Sequence, residues 1–372
     1  MLREFFTRLR VTKMSKKICF LIGNLNDSGG TERVTTIIAN ALAEKNSQVF
    51  ILSLTDGKNP FFELAPSIKT YSLYPENISF KKNFFGAVWR IRKFVTEHQI
   101  DTLVVVDSIS CIFTVPALFG LEVKHICWEH FNFKVNLGVK YRDIGRKWAA
   151  KYCDYVVTLT KRDKELWEQG IKNIKAKIIP IANPSPFEVQ ENMPSLDYKT
   201  ILCVGRLTYQ KGFDLLITAW ARVAQQVPDW KIVIVGSGED ELMLQQMAKD
   251  FEVDDSIIFA GQQKNMDTFY RQASFFCMTS RFEGLPMVLL EAQSYGLPIV
   301  AFDCDTGPAE IIDHNINGLL VEPGNINGLA NSLLGLINLS NIQYEKMSWN
   351  AVENSVRYSV NPIVKQWLSI IK

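Results

Sequence analysis

The chain has 372 residues, 47% of them hydrophobic and 22% charged, the composition of a soluble globular protein long enough for two domains of roughly 100–200 residues each. Its seven cysteines (Cys19, Cys111, Cys127, Cys153, Cys203, Cys277 and Cys304) are scattered through apolar runs without Cys-x-x-Cys or Cys/His spacing, so the sequence indicates neither a disulfide framework nor a structural zinc, and suggests a reduced, cytosolic protein. The net charge of +2 hides an asymmetry: residues 1–182 carry 28 Lys and Arg against 17 Asp and Glu, residues 183–372 carry 13 against 22, so a +11 half is joined to a −9 half and one of them is expected to meet an anionic surface or substrate.

The N-terminus is basic but has no apolar signal core. Met14 offers an alternative start, which would leave the first thirteen residues dispensable, and the expected dispensable stretch is residues 1–16. From there short apolar runs alternate with amphipathic ones. Runs at 18–22, 49–54, 103–106, 125–128, 155–159 and 177–181 read as buried parallel strands, with helical periodicity at 31–44 and 87–98 between them. Pro-rich sequence from Asn183 through Ser195 breaks the rhythm and reads as a linker. It restarts at 200–204, 231–235, 256–259, 275–278 and 298–302. Such alternation predicts an α/β protein of two doubly wound, Rossmann-like domains facing across a cleft, with ligands at the carboxyl ends of the strands. The expected boundaries are 1–182, 183–358 and a final segment 359–372. No segment is long enough to span a membrane: the best, 108–121, has 14 uncharged residues and contains Pro116 and Gly120, against roughly 18–20 required.

Gly29 and Gly30 follow the first strand run and open the first helix. They form either a plain turn or a place where backbone approaches an anion at a helix start. The stretch 80–94 interleaves Phe80, Phe84, Phe85 and Trp89 with Lys81, Lys82, Arg90, Arg92 and Lys93, and 134–151 adds six cations against Asp143 alone. These are ordinary surface helices or a face for an anionic membrane. Nucleic acid is the poorer candidate, because no recognition module accompanies the charge. His130, in Trp-Glu-His-Phe, ends a strand run and would point into the cleft, although a lone His is more often structural.

In the second half, Gly205-Arg-Leu-Thr-Tyr-Gln-Lys-Gly212 places Arg206 and Lys211 at the carboxyl end of its first strand, where two cations suit a diphosphate leaving group. Gly236 and Gly238 open a dinucleotide-like loop that lacks the third glycine, with Glu241 at that place, so a nicotinamide cofactor is not expected; the glycines would let the loop pass close to a nucleotide. Arg281-Phe-Glu-Gly-Leu-Pro-Met-Val-Leu-Leu-Glu291 sets two carboxylates, Glu283 and Glu291, on either side of Gly284, Leu285 and Pro286. Pro286 suits the first position of a helix, which would place Glu283 in the preceding loop, Glu291 in the second turn, and free N–H groups between them for phosphate. Asp303-Cys-Asp305 imitates a metal-holding Asp-x-Asp, but no further ligand stands nearby, and no metal is expected.

Gly29-Gly-Thr-Glu-Arg33, Gly205-Arg-Leu with Gln-Lys-Gly212, Glu283-Gly-Leu-Pro with Glu291, and Gly307-Pro-Ala-Glu-Ile-Ile312 occur in that order, and together they resemble glycosyltransferase family 4, retaining enzymes of the GT-B fold. The resemblance runs from about Lys17 to Gly324. It implies that Arg206 and Lys211 neutralise the diphosphate, that Glu283 and nearby backbone amides hold the donor sugar, that Glu291 binds ribose hydroxyls, and that His130 contacts the sugar from the other domain. It implies UDP-sugar donors, lipid-linked glycan acceptors for bacterial envelope polysaccharides, and a cytoplasmic enzyme peripheral to the inner face of the membrane. It also implies a last helix, residues 362–371, that crosses back to the first domain. No cofactor or metal is implied, the UDP-sugar being a substrate. Retention would then occur without a carboxylate nucleophile: a leaving diphosphate oxygen takes the acceptor proton while the acceptor attacks from the same face. Competing readings are a GT-B-like nucleotide-sugar epimerase or hydrolase, or a non-catalytic sugar-nucleotide-binding partner of an assembly complex.

Overall fold

The structure, a computed structural model, describes residues 15–80, 82–136, 138–190 and 193–372; residues 1–14 and Lys81 therefore lie outside the described residues. Among the described residues, thirteen strands form two parallel sheets. The first contains β1 (Lys17–Ile22), β2 (Gln48–Thr55), β3 (Lys69–Tyr74), β4 (Thr102–Val106), β5 (Lys124–Trp128), β6 (Tyr155–Thr158) and β7 (Lys177–Pro180), in the order β3-β2-β1-β4-β5-β6-β7. The second contains β8 (Thr200–Val204), β9 (Lys231–Val235), β10 (Ile257–Phe259), β11 (Phe275–Met278), β12 (Ile299–Phe302) and β13 (Gly318–Val321), in the order β10-β9-β8-β11-β12-β13. Each sheet reverses its winding beside its first strand, at β1/β4 and β8/β11. At such switch points the loops diverge and leave a crevice for ligands.

The central strands are legible because both their faces are buried, which demands uninterrupted Val, Ile, Leu and Phe. The two strands that the apolar runs did not announce are edges. β3 alternates polar and apolar residues, and β13 is four residues long and begins with a glycine. A Cβ at Gly318 would meet the Ile299 carbonyl oxygen at 2.3 Å, so the close approach of β13 to β12 needs a residue without one.

The 183–190 segment, expected as a linker, has no helix or strand but is packed rather than loose. Asn183 and Ser185 are buried, Ser185 Oγ lies 2.7 Å from Ser294 Oγ, and Phe187 meets Tyr270 and Tyr295 edge-on. The last helix, Val360–Ile371, lies against the helix Gly30–Glu44 of the first domain. Its Trp367 meets Trp128 at the end of β5, ring centroids 4.7 Å apart. Lys124 Nζ donates to the carbonyls of Ile370 and Ile371, satisfying acceptors that the helix itself leaves open. Through this helix one apolar cluster runs continuously from Phe20 and Trp128 to Leu289 and Leu290.

Candidate active site

The loop after β8 and the loop after β11 form one wall of the cleft, and glycine makes their fit possible. Gly212 has φ +65°, and a Cβ there would stand 2.2 Å from the Thr279 carbonyl oxygen. Arg281 grips Asp214 with two hydrogen bonds of 2.9 and 2.6 Å, and Gln210 Nε2 donates to the Phe282 carbonyl at 3.0 Å, stitching the loops together. Lys211 Nζ thereby reaches Glu283 Oε1 at 2.6 Å, and its stem lies against Gly205, where a Cβ would come within 3.3 Å. Arg206 is exposed, with no ion-pair partner among the described residues. The two cations thus differ: Lys211 is paired and Arg206 is exposed.

The glycines around this wall separate into kinds. At Gly236 (φ +141°) a Cβ would overlap the Gly205 carbonyl oxygen at 1.9 Å, and at Gly238 that of Leu207 at 2.2 Å. Close packing of neighbouring loops therefore requires a residue without a Cβ at both. Gly284 is different: a Cβ there would meet the His130 carbonyl oxygen of the opposite domain at 2.4 Å. The Leu285 side chain is buried in the core, so only its backbone is offered to a ligand. Pro286, expected as the first helical residue, is instead the extended residue before it (φ −72°, ψ 106°), and the helix is Met287–Ser294. Glu283 does precede that helix, and Glu291 does fall in its second turn.

Glu291 faces the first domain. Its Oε1 accepts from Arg33 Nη1 at 3.1 Å, across the cleft, and its Oε2 from the Tyr270 hydroxyl at 2.7 Å. Burial raises its pKa, opposed by the Arg33 charge and the Tyr270 hydrogen bond. Arg33 is held in turn over the rings of Phe62 and Phe187. Gly29 and Gly30 stand exposed at the start of the same helix, but a Cβ at Gly29 would lie 2.4 Å from Glu32 Oε2. An acid of the helix's own first turn therefore already occupies the side of the helix start at Gly29.

His130 forms the opposing wall. Its ring packs on Trp128, centroids 4.5 Å apart, and its Nε2 is shut off from solvent with no hydrogen-bond partner among the described residues. Burial pushes its pKa down to about 3, so the ring is neutral at pH 7. The loop that carries it rests on a fully buried carboxylate, Glu129. Glu129 Oε1 accepts from the backbone N–H groups of His130 and Phe131, both at 3.1 Å, and Oε2 from Ser108 Oγ at 2.5 Å and Arg146 Nε at 3.1 Å. Arg146 also donates to the carbonyls of Asn132, Phe133 and Val135, and Arg142 to both oxygens of Asp107. Burial, and then the Glu129 charge, raise Asp107 to about 6 against the pull of Arg142.

Asp303 and Asp305 hold cations of the other domain. Arg162 makes two hydrogen bonds to Asp303, of 2.6 and 3.0 Å, and Lys134 Nζ lies 3.2 Å from Asp305. Beside them Glu310 Oε1 accepts from the N–H groups of Lys161 and Arg162, 2.7 and 3.2 Å away, at the start of the helix Lys161–Gly170. With these contacts made, the cavity between Phe131, Asn132 and Val135 on one side and Gln210, Glu283 and Gly284 on the other is about 30 Å³. A small-ligand site is ten or more times larger, so this cavity by itself does not hold a nucleotide sugar. A larger concavity, about 700 Å³, lies away from these residues, around Ile316, Leu336 and Met347.

The structure thus gathers Lys211, Glu283, Gly284 and His130 at one point, with Glu291 across from the Gly30–Glu44 helix. Glu129, Arg33 and Tyr270 were not singled out in the sequence. Glu129 had a usable signal, since a charged residue ending an apolar strand beside His130 must find a partner. Tyr270 had none: only folding brings it to Glu291, 21 positions away.

Residues 28–182 match the family described as Glycosyltransferase Family 4, and residues 185–354 that described as Glycosyl transferases group 1. An uncharacterized glycosyltransferase of Haemophilus influenzae is 39% identical over 96% of this chain and 100% of its own length. The chain is a family 4 glycosyltransferase. It is also 29% identical, over 95% of this chain and 98% of the other, to the Campylobacter jejuni enzyme named GalNAc-alpha-(1->4)-GalNAc-alpha-(1->3)-diNAcBac-PP-undecaprenol alpha-1,4-N-acetyl-D-galactosaminyltransferase. Among solved structures, Anabaena HepE in complex with UDP superposes with a TM-score of 0.77 at 19% identity, over 95% of this chain and 98% of that one, which shows the shared GT-B fold.

Proposed function

We propose that this glycosyltransferase moves a hexose or N-acetylhexosamine from a UDP-sugar to a lipid-linked glycan in the synthesis of envelope polysaccharide, with retention of configuration. The observation that carries the reading is the meeting, across the cleft, of Gly284 beside the Lys211–Glu283 pair with the backbone of His130, whose ring nitrogen Nε2 has no partner among the described residues. A buried, neutral imidazole nitrogen without a partner is a costly arrangement that a sugar hydroxyl would relieve. Lys211 and the exposed Arg206 meet the charge that develops on the departing diphosphate, while Glu283 and the 284–286 backbone orient the sugar. Glu291, already aligned by Arg33 and Tyr270, has remaining lone pairs for ribose hydroxyls. The reaction needs no catalytic metal on this reading, because Asp303 and Asp305 already neutralise Arg162 and Lys134. The lipid-linked acceptor is supported by the undecaprenol-linked glycan in the name of the Campylobacter relative, and UDP by its presence in the HepE complex.

The acceptor's membrane would meet the first domain. No described helix is long and apolar enough to cross a membrane. Phe80 and Phe84, expected as anchors, instead pack inward on Phe113, and Arg142 and Arg146 are buried under Glu129. Arg90 and Arg92 are tied to backbone carbonyls. What remains outward is Phe85, Trp89 and Phe119, which are 84%, 60% and 84% exposed. Arg92 joins Phe119 to the Phe84–His98 helix through its carbonyl, and Lys82, Lys93, Lys140, Lys147 and Lys151 are exposed on this helix, near its start or on the Lys140–Tyr152 helix. Such a face suits an anionic interface.

Mass spectrometry of products from a panel of UDP-sugars with a polyprenyl-pyrophosphate glycan, in buffer free of divalent cations, tests the reading, and the anomeric proton coupling reports retention. Donor consumption without any acceptor would replace it with an epimerase or hydrolase. Vesicle sedimentation should show binding to anionic but not neutral vesicles, lost in the Phe85→Ser, Trp89→Ser double variant.

A further inference from the structure

Cys111, His125 and Cys153, separated by 14 and 28 positions in the sequence, come together inside the first domain. One ligand atom from each lies within 4.8 Å of the others, and all three residues are buried. Sequence spacing gave no sign of this, because each member comes from a different element. Cys111 opens the helix Cys111–Leu118, His125 lies on β5, and Cys153 follows the helix Lys140–Tyr152. On β5 every second residue shares a face, so Cys127 points the same way as His125 and its thiol lies beside that of Cys111. Thr114 Oγ1 stands 2.9 Å from His125 Nε2 and fixes the ring.

We propose that Cys111, His125 and Cys153 bind a thiophilic divalent cation of the zinc class. Two thiolates and a neutral imidazole around a dication sum to no net charge, which is what a fully buried site requires. All seven cysteines are free and buried, but among the described residues only this group of three or more His, Cys, Asp or Glu has metal-ligand spacing. The cation's place in the fold gives it a purpose. It would tie β5 to the helix whose Arg142 and Arg146 hold Asp107 and Glu129, and so brace the loop carrying His130 from behind. Binding would exchange two thiol protons for the metal, so uptake would release protons and weaken at acid pH.

Elemental analysis of the full chain purified from zinc-supplemented cells, without chelator, should give one zinc per chain. Protein grown with cobalt should show sulfur-to-cobalt charge-transfer bands and the d–d bands of a tetrahedral site. Cys153→Ser should lose most of the metal and of the charge-transfer intensity. Wild-type protein provides the deciding arm should that variant fold poorly. Folded wild-type protein with neither stoichiometric metal nor charge-transfer bands would overturn the proposal. So would a disulfide mapped by peptide mass to Cys111 and Cys153, or a folded Cys153→Ser chain with wild-type metal content.

Discussion

The two walls of the cleft hold their charges in opposite ways. On the first domain, Glu129 and Arg146 are buried and saturated with hydrogen bonds, and the group offered to a ligand, His130, is neutral. On the second, Arg206 is exposed, Lys211 is paired among the described residues only to Glu283, and Glu291 reaches across to Arg33. A buried ion pair contributes shape more than net stability, whereas a partly exposed one can exchange partners. The first wall is therefore built to position, and the second to trade its own ion pairs for those of a substrate.

Breaking the first wall should have the largest effect. Glu129→Ala leaves Arg146 buried without its carboxylate, at a cost of about 3–5 kcal/mol in urea unfolding. UDP affinity, measured by calorimetry below the transition, should hardly change, since the donor contacts proposed here lie on the second wall. A parallel collapse of UDP affinity would show that the walls are not independent.

On the second wall, Arg206→Ala and Lys211→Ala should each lower turnover by roughly 10²-fold or more, the usual loss for one preorganised charge-stabilising group. Near-wild-type turnover in either would remove that residue from the diphosphate. Glu291→Ala should weaken UDP by about 1–3 kcal/mol through a lost buried contact, while Glu283→Ala should spare UDP and impair only the sugar nucleotide. Equal losses on UDP would mean the two carboxylates are not divided between ribose and sugar.

These contrasts also explain what could be read in the sequence. The sheets were legible wherever strands are buried on both faces, and β3 and β13 were missed because an edge strand needs neither length nor a continuous apolar run. The positions of Lys211, Glu283 and Glu291 at the cleft were legible because each sits within a few residues of a glycine or proline that shapes its loop. The partners were not. Arg33 meets Glu291 across 258 positions, and Arg162 meets Asp303 across 141, so no local pattern can encode either. The basic stretch 134–151 misled for a related reason: charge counting cannot distinguish Lys147, which faces solvent, from Arg146, which faces Glu129.

The neutral His130 predicts a pH dependence on the first wall. Its folded pKa of about 3 lies below the usual 6.5, so between those values the unfolded chain binds the extra proton. Its contribution to stability is complete above pH 6.5 and is lost progressively as pH falls toward 3. The stability difference between wild type and His130→Gln should therefore move against wild type as acid is added. A difference constant over that range would mean the ring is already solvated in the folded state.

The smallest effect concerns how the walls meet. Arg162–Asp303 and Lys134–Asp305 join the basic half to the acidic half, and their side chains are 42%, 27%, 55% and 50% exposed. Pairs so wet are worth at most about 1 kcal/mol each, screened over a Debye length of about 10 Å at 0.1 M salt. That is small against the fold but not against a balance between open and closed forms, where about 1.4 kcal/mol changes the ratio tenfold. The −9 and +11 halves should therefore favour closure at low salt, with a donor admitted when the pairs part. Fluorescence transfer between labels on the two domains should show the closed fraction falling as salt rises without donor. In the Arg162→Ala, Lys134→Ala double variant the open form should dominate at low salt and respond weakly to more. A salt response as steep as wild type would assign closure to the Arg33–Glu291 contact and the Trp128–Trp367 packing instead.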